Sequence, residues 1–481
     1  MNLMHLFDIS LKGKKDYVGL EFNQQSLSFG QIDQRSNQVA NFLIQTGFVP
    51  GDRLAVYLEN CIEMIDIYLA AIKTGVIFVP INILYKEREI GHILSDAEPK
   101  KLIANGAVPG GFDAWQLEEL VKALPGIKDT PIDSSHLNGD SPAAIVYTSG
   151  TTGTSKGAIL THNNFISNGL NLVNCWQIKE QDRFLLSLPL FHVHALGNGI
   201  HAWLMSGCKM KLLVRFEHQK AAEEFIQFKP TLFFGVPTVY IRLLDLPDAT
   251  AKLIGSNARL FVCGSAPLPA QVLEAFQEKY GQVILERYGM TETLMNISNP
   301  YYGERRPGTI GFPLPGISAK VVKPDGSVAH VDEEGEVYIK GPNVFAGYWK
   351  REQATADAFV DGYFKTGDMG VVSADGYFTL RGRKSDLIIS GGFNIYPREI
   401  EEFLLEQPGV KEASVVGVPH ETRGEMPVAY LVLEPTADLT AIEAACQKTF
   451  ASFKVPRKFL AIDQLPRTAL GKVQKHLLPK P

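Results

Sequence analysis

Five apolar runs, each broken off by small or polar residues, constrain this chain more than any other feature. They are AAIVYTSG from residue 143, RFLLSLPLFH from 183, PTLFFGVP from 230, ARLFVCGSA from 258 and QVILERYGMTE from 282. Each reads as a buried strand followed by a loop. In open α/β sheets ligands sit beyond the carboxyl ends of the strands. The five loops are therefore expected to converge on one site.

The chain upstream alternates in the same manner. QIDQRSNQVANFLIQTGFV (31–49) carries apolar residues at helical spacing and stops at Gly47, DRLAVYLEN (52–60) is strand-like, and 61–74 is helical again. Strand and helix in alternation predict a largely parallel α/β sheet. The polar, turn-rich segment 125–142 is expected to link two subdomains. From about residue 317, short alternating strands such as GEVYIKG and GYFTL predict a small β subdomain. Beyond RGRKSD (381–386) the pattern is strand, helix (Pro397–Gln407), strand pair (Ala413–Val418, Val428–Leu433), helix (Leu439–Phe453) and a basic tail. That fits one small α+β domain. A chain of 481 residues exceeds the size at which one core stops growing, so two or more domains are expected, and the change of pattern at RGRKSD sets the expected division at 384/385.

Bulk properties exclude several classes. A formal net charge of −5 argues against general nucleic-acid binding. Five scattered cysteines without CxxC spacing suit a reducing cytosol and offer no zinc site. The N-terminus lacks a continuous apolar run, so neither a secretory signal nor a transit peptide is expected. The most apolar window, 67–85, is broken by Lys73, Gly75, Pro80 and Asn82. It reads as helix, turn and strand rather than a membrane span, and a cytoplasmic protein is expected.

The first of the five loops, in IVYTSGTTGTSKG (145–157), resembles an ATPase P-loop but fails at both flanks of its lysine. A Walker loop needs Gly before the lysine and Ser or Thr after it, to bind magnesium. Here Ser155 precedes Lys156 and Gly157 follows. Amides around Gly150 and Gly153, with hydroxyls from Thr148, Ser149, Thr151, Thr152 and Thr154, still make an anion cradle. Other motifs are weaker singly. Glu292 in ERYGMTET could hold magnesium beside a phosphate loop, or be a surface carboxylate; Tyr288 could stack on a purine, or be core. Asp368 in YFKTGDMG suits a ribose diol or a plain turn. Lys472 in LPRTALGKVQK could sit on developing phosphate charge, or be a solvated tail lysine. His192, His194 and His201 lack a carboxylate at ligand spacing, so a pocket-lining histidine is expected rather than a metal site.

As a set, YTSGTTGTSKG, RYGMTET, YFKTGDMG, RGRKSDLIISGGFNIYPREIE and PRTALGKVQK resemble, in order and spacing, the adenylate-forming acyl-CoA synthetase superfamily. The resemblance implies a large N-terminal domain of α/β subdomains plus a small β subdomain, followed by a small mobile α+β domain. It also implies a two-step reaction. A carboxylate attacks the α-phosphorus of Mg·ATP, and coenzyme A then displaces AMP from the acyl-adenylate. By the same resemblance, Thr148, Ser149, Gly150, Thr151, Thr152, Gly153 and Lys156 hold the β- and γ-phosphates. Thr291 meets the α-phosphate and Glu292 binds Mg²⁺. Gly264, Ser265, Ala266 and Tyr288 flank adenine, and Asp368 and Arg383 bind the ribose. Lys472 bridges carboxylate and α-phosphate. Rotation of the last domain withdraws Lys472 and brings in the loop with Gly391 and Gly392 to shape the thiol tunnel. At the hinge the family has Asp or Lys; this chain has Ser385, flanked by Lys384 and Asp386.

Within the superfamily the stretches LPLFHVHALGNG, GVPTVYIRLL, LFVCGSAPL and GPNVFAGYWK resemble malonyl-CoA synthetases. That resemblance implies that Arg242 and Arg287 hold the carboxylate that does not react and that His192 closes the pocket. A second charge entering a dry pocket must be paired, and guanidinium pairs carboxylate bidentately. The plainer readings are a salt bridge from Arg287 to Glu286 and a solvated helix face for Arg242. Other acids, including aryl acids, remain alternatives. So do an adenylation module serving a carrier protein and a non-catalytic nucleotide-binding relative.

Overall fold

A computed structural model describes residues 1–148, 155–390, 393–420, 424–450, 452–468 and 471–481. Two large sheets, each sandwiched by helices, form the body of the chain. The first has nine strands in the spatial order Phe312–Pro313, Leu294–Ser298, Leu285–Met290, Leu260–Cys263, Leu232–Gly235, Arg183–Leu186, Lys209–Leu212, Val18–Phe22 and Gln25–Ser28. Its six central strands, from Leu285–Met290 to Val18–Phe22, run parallel. Leu232–Gly235 and Leu260–Cys263 are buried along their whole length, as expected for strands covered on both faces.

The second sheet has seven strands: Gly347–Tyr348, Lys156–Thr161, Pro142–Thr148, Ile77–Pro80, Arg53–Tyr57, Lys101–Ala104 and Trp115–Gln116. This corrects one expectation and adds a detail to another. Residues 125–142 do not join two subdomains, because the strands on either side of them belong to one sheet. Of the five apolar runs, the one at 143 lies in this second sheet and the other four are neighbours in the first. Turn-rich composition marks a connection but carries no information about which strands pair across it.

Local chemistry explains the helices between these strands. Phe29–Gln45 begins at Ser28, whose side chain accepts from the Gln31 N–H while the Gln31 side chain accepts from the Ser28 N–H. It ends before Gly47 at φ +85°, and buries Phe29, Ile32, Val39, Ala40 and Leu43. The apolar window resolves into the helix Ile62–Thr74, a left-handed Gly75 (φ +74°) and the strand Ile77–Pro80.

Two small sheets complete the chain. Ser318–Val322, Gly335–Lys340, Tyr363–Val372, Phe359–Val360 and Phe378–Arg383 form the expected β subdomain. The last sheet, from Ile388 onward, carries the helices Pro397–Leu405 and Leu439–Thr449 over its own apolar cluster. The whole is α/β with a small α+β unit at its C-terminal end. Among the described residues no helix is long and apolar enough to cross a membrane.

Candidate active site

Strands Pro142–Thr148 and Lys156–Thr161 form an antiparallel pair in which Thr148 faces Lys156. The phosphate-loop expectation thus sits on a hairpin whose stems are fixed. Ser149, Gly150, Thr151, Thr152 and Gly153 lie outside the described residues, as do Gly391 and Gly392. The exit of the loop is held by the His92 ring, 2.8 Å from the Ser155 carbonyl oxygen. Lys156 Nζ then lies 5.0 Å from the centre of the Tyr348 ring.

Strands Leu285–Met290 and Leu294–Ser298 turn back on each other through Thr291 and Glu292. Thr291 is half-buried and Glu292 is buried. Glu292 Oε1 accepts from the Tyr348 hydroxyl at 3.1 Å. Burial raises the pKa of this carboxyl, against the pull of that hydrogen bond and of Arg383 and Lys472. No lysine or arginine among the described residues comes within ion-pair distance of it.

One strand further, Tyr288 donates from its hydroxyl to Asp368 Oδ2, and both are buried. Asp368 faces Arg383 across the antiparallel strands Tyr363–Val372 and Phe378–Arg383, with Arg383 Nε 2.9 Å from Oδ1. Arg383 also donates from Nη1 to the Thr366 carbonyl at 3.0 Å. The next residue, Lys384, pairs at 2.9 Å with the buried Glu336, whose other oxygen accepts from the Gly367 N–H. Ser385 follows in a short 3₁₀ turn, Lys384–Asp386, and is exposed.

Arg287, on the same strand as Tyr288, is 5% exposed. Successive residues of a strand point to opposite faces. Glu286 accordingly turns away, accepting from the Gly308 N–H at 3.3 Å, and burial pushes it up to about 7. The salt bridge between Glu286 and Arg287, one of the plainer readings, is absent. The Nε and Nη2 atoms of Arg287 are buried and find no partner among the described residues, and burial lowers its pKa to about 10. It remains a cation at neutral pH.

Around it stand Gly264, Ser265 and two histidines. Ser265 holds the left-handed φ of +72° and its hydroxyl lies 3.0 Å from His194 Nδ1. Ala266, next along this loop, is half-buried. His194 and His192 each keep a buried Nε2 without a partner among the described residues. Burial, with help from the nearby Lys472 charge, lowers His192 to about 3, so the ring is neutral. His201, by contrast, is buried beneath the site against Tyr68, Phe7 and Phe165.

Lys472 reaches this same space from the other end of the chain. Thr468 and Lys472 close a tight turn (Thr468 N–H to Lys472 carbonyl, 2.7 Å), and Arg467 pairs Val473. Gly471, at φ +78°, lies against Thr238; a β-carbon there would be 3.0 Å from the threonine methyl. The lysine side chain is exposed overall, yet protein crowds its ammonium group. That crowding, together with Arg383 and Arg287, lowers its pKa, while Asp368 and Glu292 raise it. Arg242 is exposed, as a solvated helix face predicts. It nevertheless sits one helical turn beyond Thr238 in Pro237–Leu243, on the face where the Lys472 turn docks.

The structure thus gathers His192, Ser265, Arg287, Tyr288, Glu292, Asp368, Arg383 and Lys472, with Lys156 at one edge and Arg242 at another. Sequence reasoning missed Tyr348, His92 and Glu336. Tyr348 lies in GPNVFAGYWK, a stretch that carried resemblance without a role; nothing local marks its contacts, which are with residues far away in sequence.

A model of AMP-binding enzymes matches residues 7–349, and a model of the AMP-binding enzyme C-terminal domain matches residues 399–472. ATP-bound MatB from Rhodopseudomonas palustris superposes with a TM-score of 0.91 at 38% identity, covering 99% of this chain and 98% of that one. A 2-succinylbenzoate–CoA ligase from Bacillus licheniformis is 36% identical over 96% of each chain. A malonate–CoA ligase from Arabidopsis thaliana is 31% identical over 97% of this chain and 86% of its own.

Proposed function

The chain belongs to the AMP-binding enzymes and is an AMP-forming acid–CoA ligase, and on that premise we propose that its acid is malonate or a methyl-substituted malonate. The observation that carries this reading is Arg287, a buried guanidinium whose Nε and Nη2 find no partner among the described residues, beside the expected reaction centre. Leaving such a charge unpaired costs about 3–5 kcal/mol, so the pocket favours an acid that brings a second anion. A fatty or simple aryl acid would leave it unmet.

In the first step a carboxylate oxygen of malonate attacks the α-phosphorus. The bond from that phosphorus to the bridging oxygen breaks, and pyrophosphate leaves. Lys472 lies between the two reacting anions, and its charge offsets the negative charge that builds there. Thr291 binds the α-phosphate. Thr148, Lys156 and the loop between them hold the phosphates that leave. Gly264, Ser265, Ala266 and Tyr288 flank the adenine, and the Asp368–Arg383 pair receives the ribose. Neutral His192 closes the acid pocket without adding a cation. In the second step the thiol sulfur of coenzyme A attacks the acyl carbon, the acyl–oxygen bond breaks and AMP departs.

Glu292 fits a magnesium site: it is a buried carboxylate with no ion-pair partner among the described residues, and Mg²⁺ is usually held by one or two carboxylates plus phosphate oxygens. Bound there, the ion neutralises charge on the phosphates of ATP. No cluster of three potential metal-ligating side chains occurs among the described residues, which suits an ion that arrives with its nucleotide. The division at 384/385, with Ser385 as the pivot and the loop of Gly391 and Gly392 entering for the thiol step, completes the proposal.

The test is ATP- and CoA-dependent thioester formation from malonate, methylmalonate, succinate, 2-succinylbenzoate, acetate and benzoate in parallel. Malonate or methylmalonate should lead, and Arg287→Ala should cut kcat/KM for it about a thousandfold while ATP still binds. A wild-type preference for acetate or benzoate would overturn the reading. The second candidate is 2-succinylbenzoate, favoured by the 36% identity of the relative that acts on it; its free carboxylate could also meet Arg287.

A further inference from the structure

Residues Phe345–Trp349 run between the two halves of the phosphate site. The Trp349 N–H donates to the Gly157 carbonyl at 2.8 Å, and the Ala346 N–H to the Ile159 carbonyl at 3.0 Å. Both acceptors lie on the strand that leaves the phosphate loop. From the same stretch the Phe345 N–H donates to the Glu292 carbonyl at 2.7 Å. Five consecutive residues therefore fasten the loop exit to the turn that bears Glu292.

Tyr348 makes the same connection with its side chain. Its hydroxyl lies 3.1 Å from Glu292 Oε1 and its ring centre 5.0 Å from Lys156 Nζ. The ring is itself aimed by neighbours. The Tyr348 N–H donates to Thr355 Oγ1 at 2.8 Å, and the Phe345 ring packs edge-on at 4.8 Å between centroids. Gly347 takes φ +138° with Thr355 directly behind it, where a β-carbon would come within 2.8 Å. The backbone there admits only glycine, which fixes the approach of the following tyrosine.

We propose that Tyr348 is a positioning residue for metal-bound nucleotide, its hydroxyl orienting Glu292 and its ring steering Lys156 to the phosphates. A phenol that donates to one carboxylate oxygen would leave the other oxygen free to hold a metal ion. A cation over an aromatic face is held in direction without being neutralised, so Lys156 keeps its full charge for phosphate. A tyrosine that served packing alone would be replaceable by phenylalanine. The inference rests on the reading of Glu292 as the carboxylate that holds magnesium.

The experiment uses Mn²⁺ as the probe, titrated by EPR into the full-length enzyme with a non-hydrolysable ATP analogue. Tyr348→Phe should weaken Mn²⁺ at least fivefold while the metal-free analogue binds within about twofold of wild type. Tyr348→Leu should in addition weaken the analogue relative to AMP, because Lys156 loses its guide. If Tyr348→Leu does not fold, the phenylalanine variant alone decides. Wild-type Mn²⁺ affinity in Tyr348→Phe, with weakened Mn²⁺ in Glu292→Gln, overturns the positioning role and leaves the metal reading intact. Unchanged Mn²⁺ affinity in Glu292→Gln overturns both.

Discussion

The guanidinium of Arg287 fills the space that a side chain at Gly264 would need: a β-carbon at 264 would stand 2.5 Å from Arg287 Cζ. In the parallel strands Leu260–Cys263 and Leu285–Met290, Cys263 faces Glu286, so Gly264 and Arg287 follow side by side. The first ends in a glycine so that the second can carry a buried arginine. Gly264→Ala should therefore displace Arg287 as well as the adenine loop. Steady-state kinetics at varied malonate should give a KM raised at least tenfold, with a smaller change at varied ATP.

Arg242 and Arg287 are expected to contribute unequally. Arg242 is exposed, and Arg287 is buried with Nε and Nη2 unpartnered among the described residues. An exposed pair contributes about 0–1 kcal/mol and a buried one several, so Arg242→Ala should raise the malonate KM only a few-fold. Equal losses in the two variants, measured side by side by pyrophosphate release, would count against a single buried clamp.

Lys472 stands among Arg383, Asp368, Glu292 and Arg287 on a turn braced by Thr468 and Gly471. On the proposed reading it serves the first half-reaction. Lys472→Ala should lower malonyl-adenylate formation by about a hundredfold or more, yet pass synthetic acyl-adenylate to CoA near the wild-type rate. The two half-reactions are assayed separately, and an equal fall in both would refute a step-specific lysine.

Acid should destabilise the fold through buried histidines. His162, His194 and His201 are buried, and burial lowers them to about 4, well below 6.5 and about 3 respectively. In the unfolded chain each takes a proton near pH 6.5. The folded state thus binds fewer protons below that pH. Its stability is complete above 6.5 and declines as pH falls towards 4. At pH 5 each contributes a loss of about 2 kcal/mol. His162→Asn preserves an acceptor for the Leu3 N–H, which now meets His162 Nδ1 at 3.1 Å. Its melting temperature should drop less than that of wild type between pH 7.5 and pH 5, by the share that one of four such histidines contributes, His192 being the fourth.

Much of the site was legible because its residues close strands whose apolar runs are short and abruptly terminated. LERYGMTE announces both a strand end and a turn, and the structure brings Arg287, Tyr288 and Glu292 to one cleft. The facing of Glu286 and Arg287 also follows from strand alternation, once the strand is granted. Other features depend on partners remote in sequence. Tyr348 owes its importance to Glu292 and Lys156, and neither lies near it in the chain. Ser265 reads as part of an adenine loop, while its left-handed backbone and its contact with His194 arise only when two strands and the segment after Leu186 meet. Residues 125–142 show the same limit from the other side: a turn-rich stretch looks like a boundary until its flanking strands prove to be members of one sheet.

Arg383 and Lys384, the last two residues before Ser385, are each tied to a different buried carboxylate, Asp368 and Glu336. Both carboxylates lie on strands of the β subdomain, Tyr363–Val372 and Gly335–Lys340. On the proposed reading, the nucleotide ribose rests on the same Asp368–Arg383 pair. Nucleotide occupancy and the freedom of the pivot are then two faces of one equilibrium. Whatever AMP adds to that anchorage, movement of the last domain must return as a change in AMP affinity of equal size. AMP would thereby be held more tightly before the domain swings than after it, by the amount it adds to the anchorage.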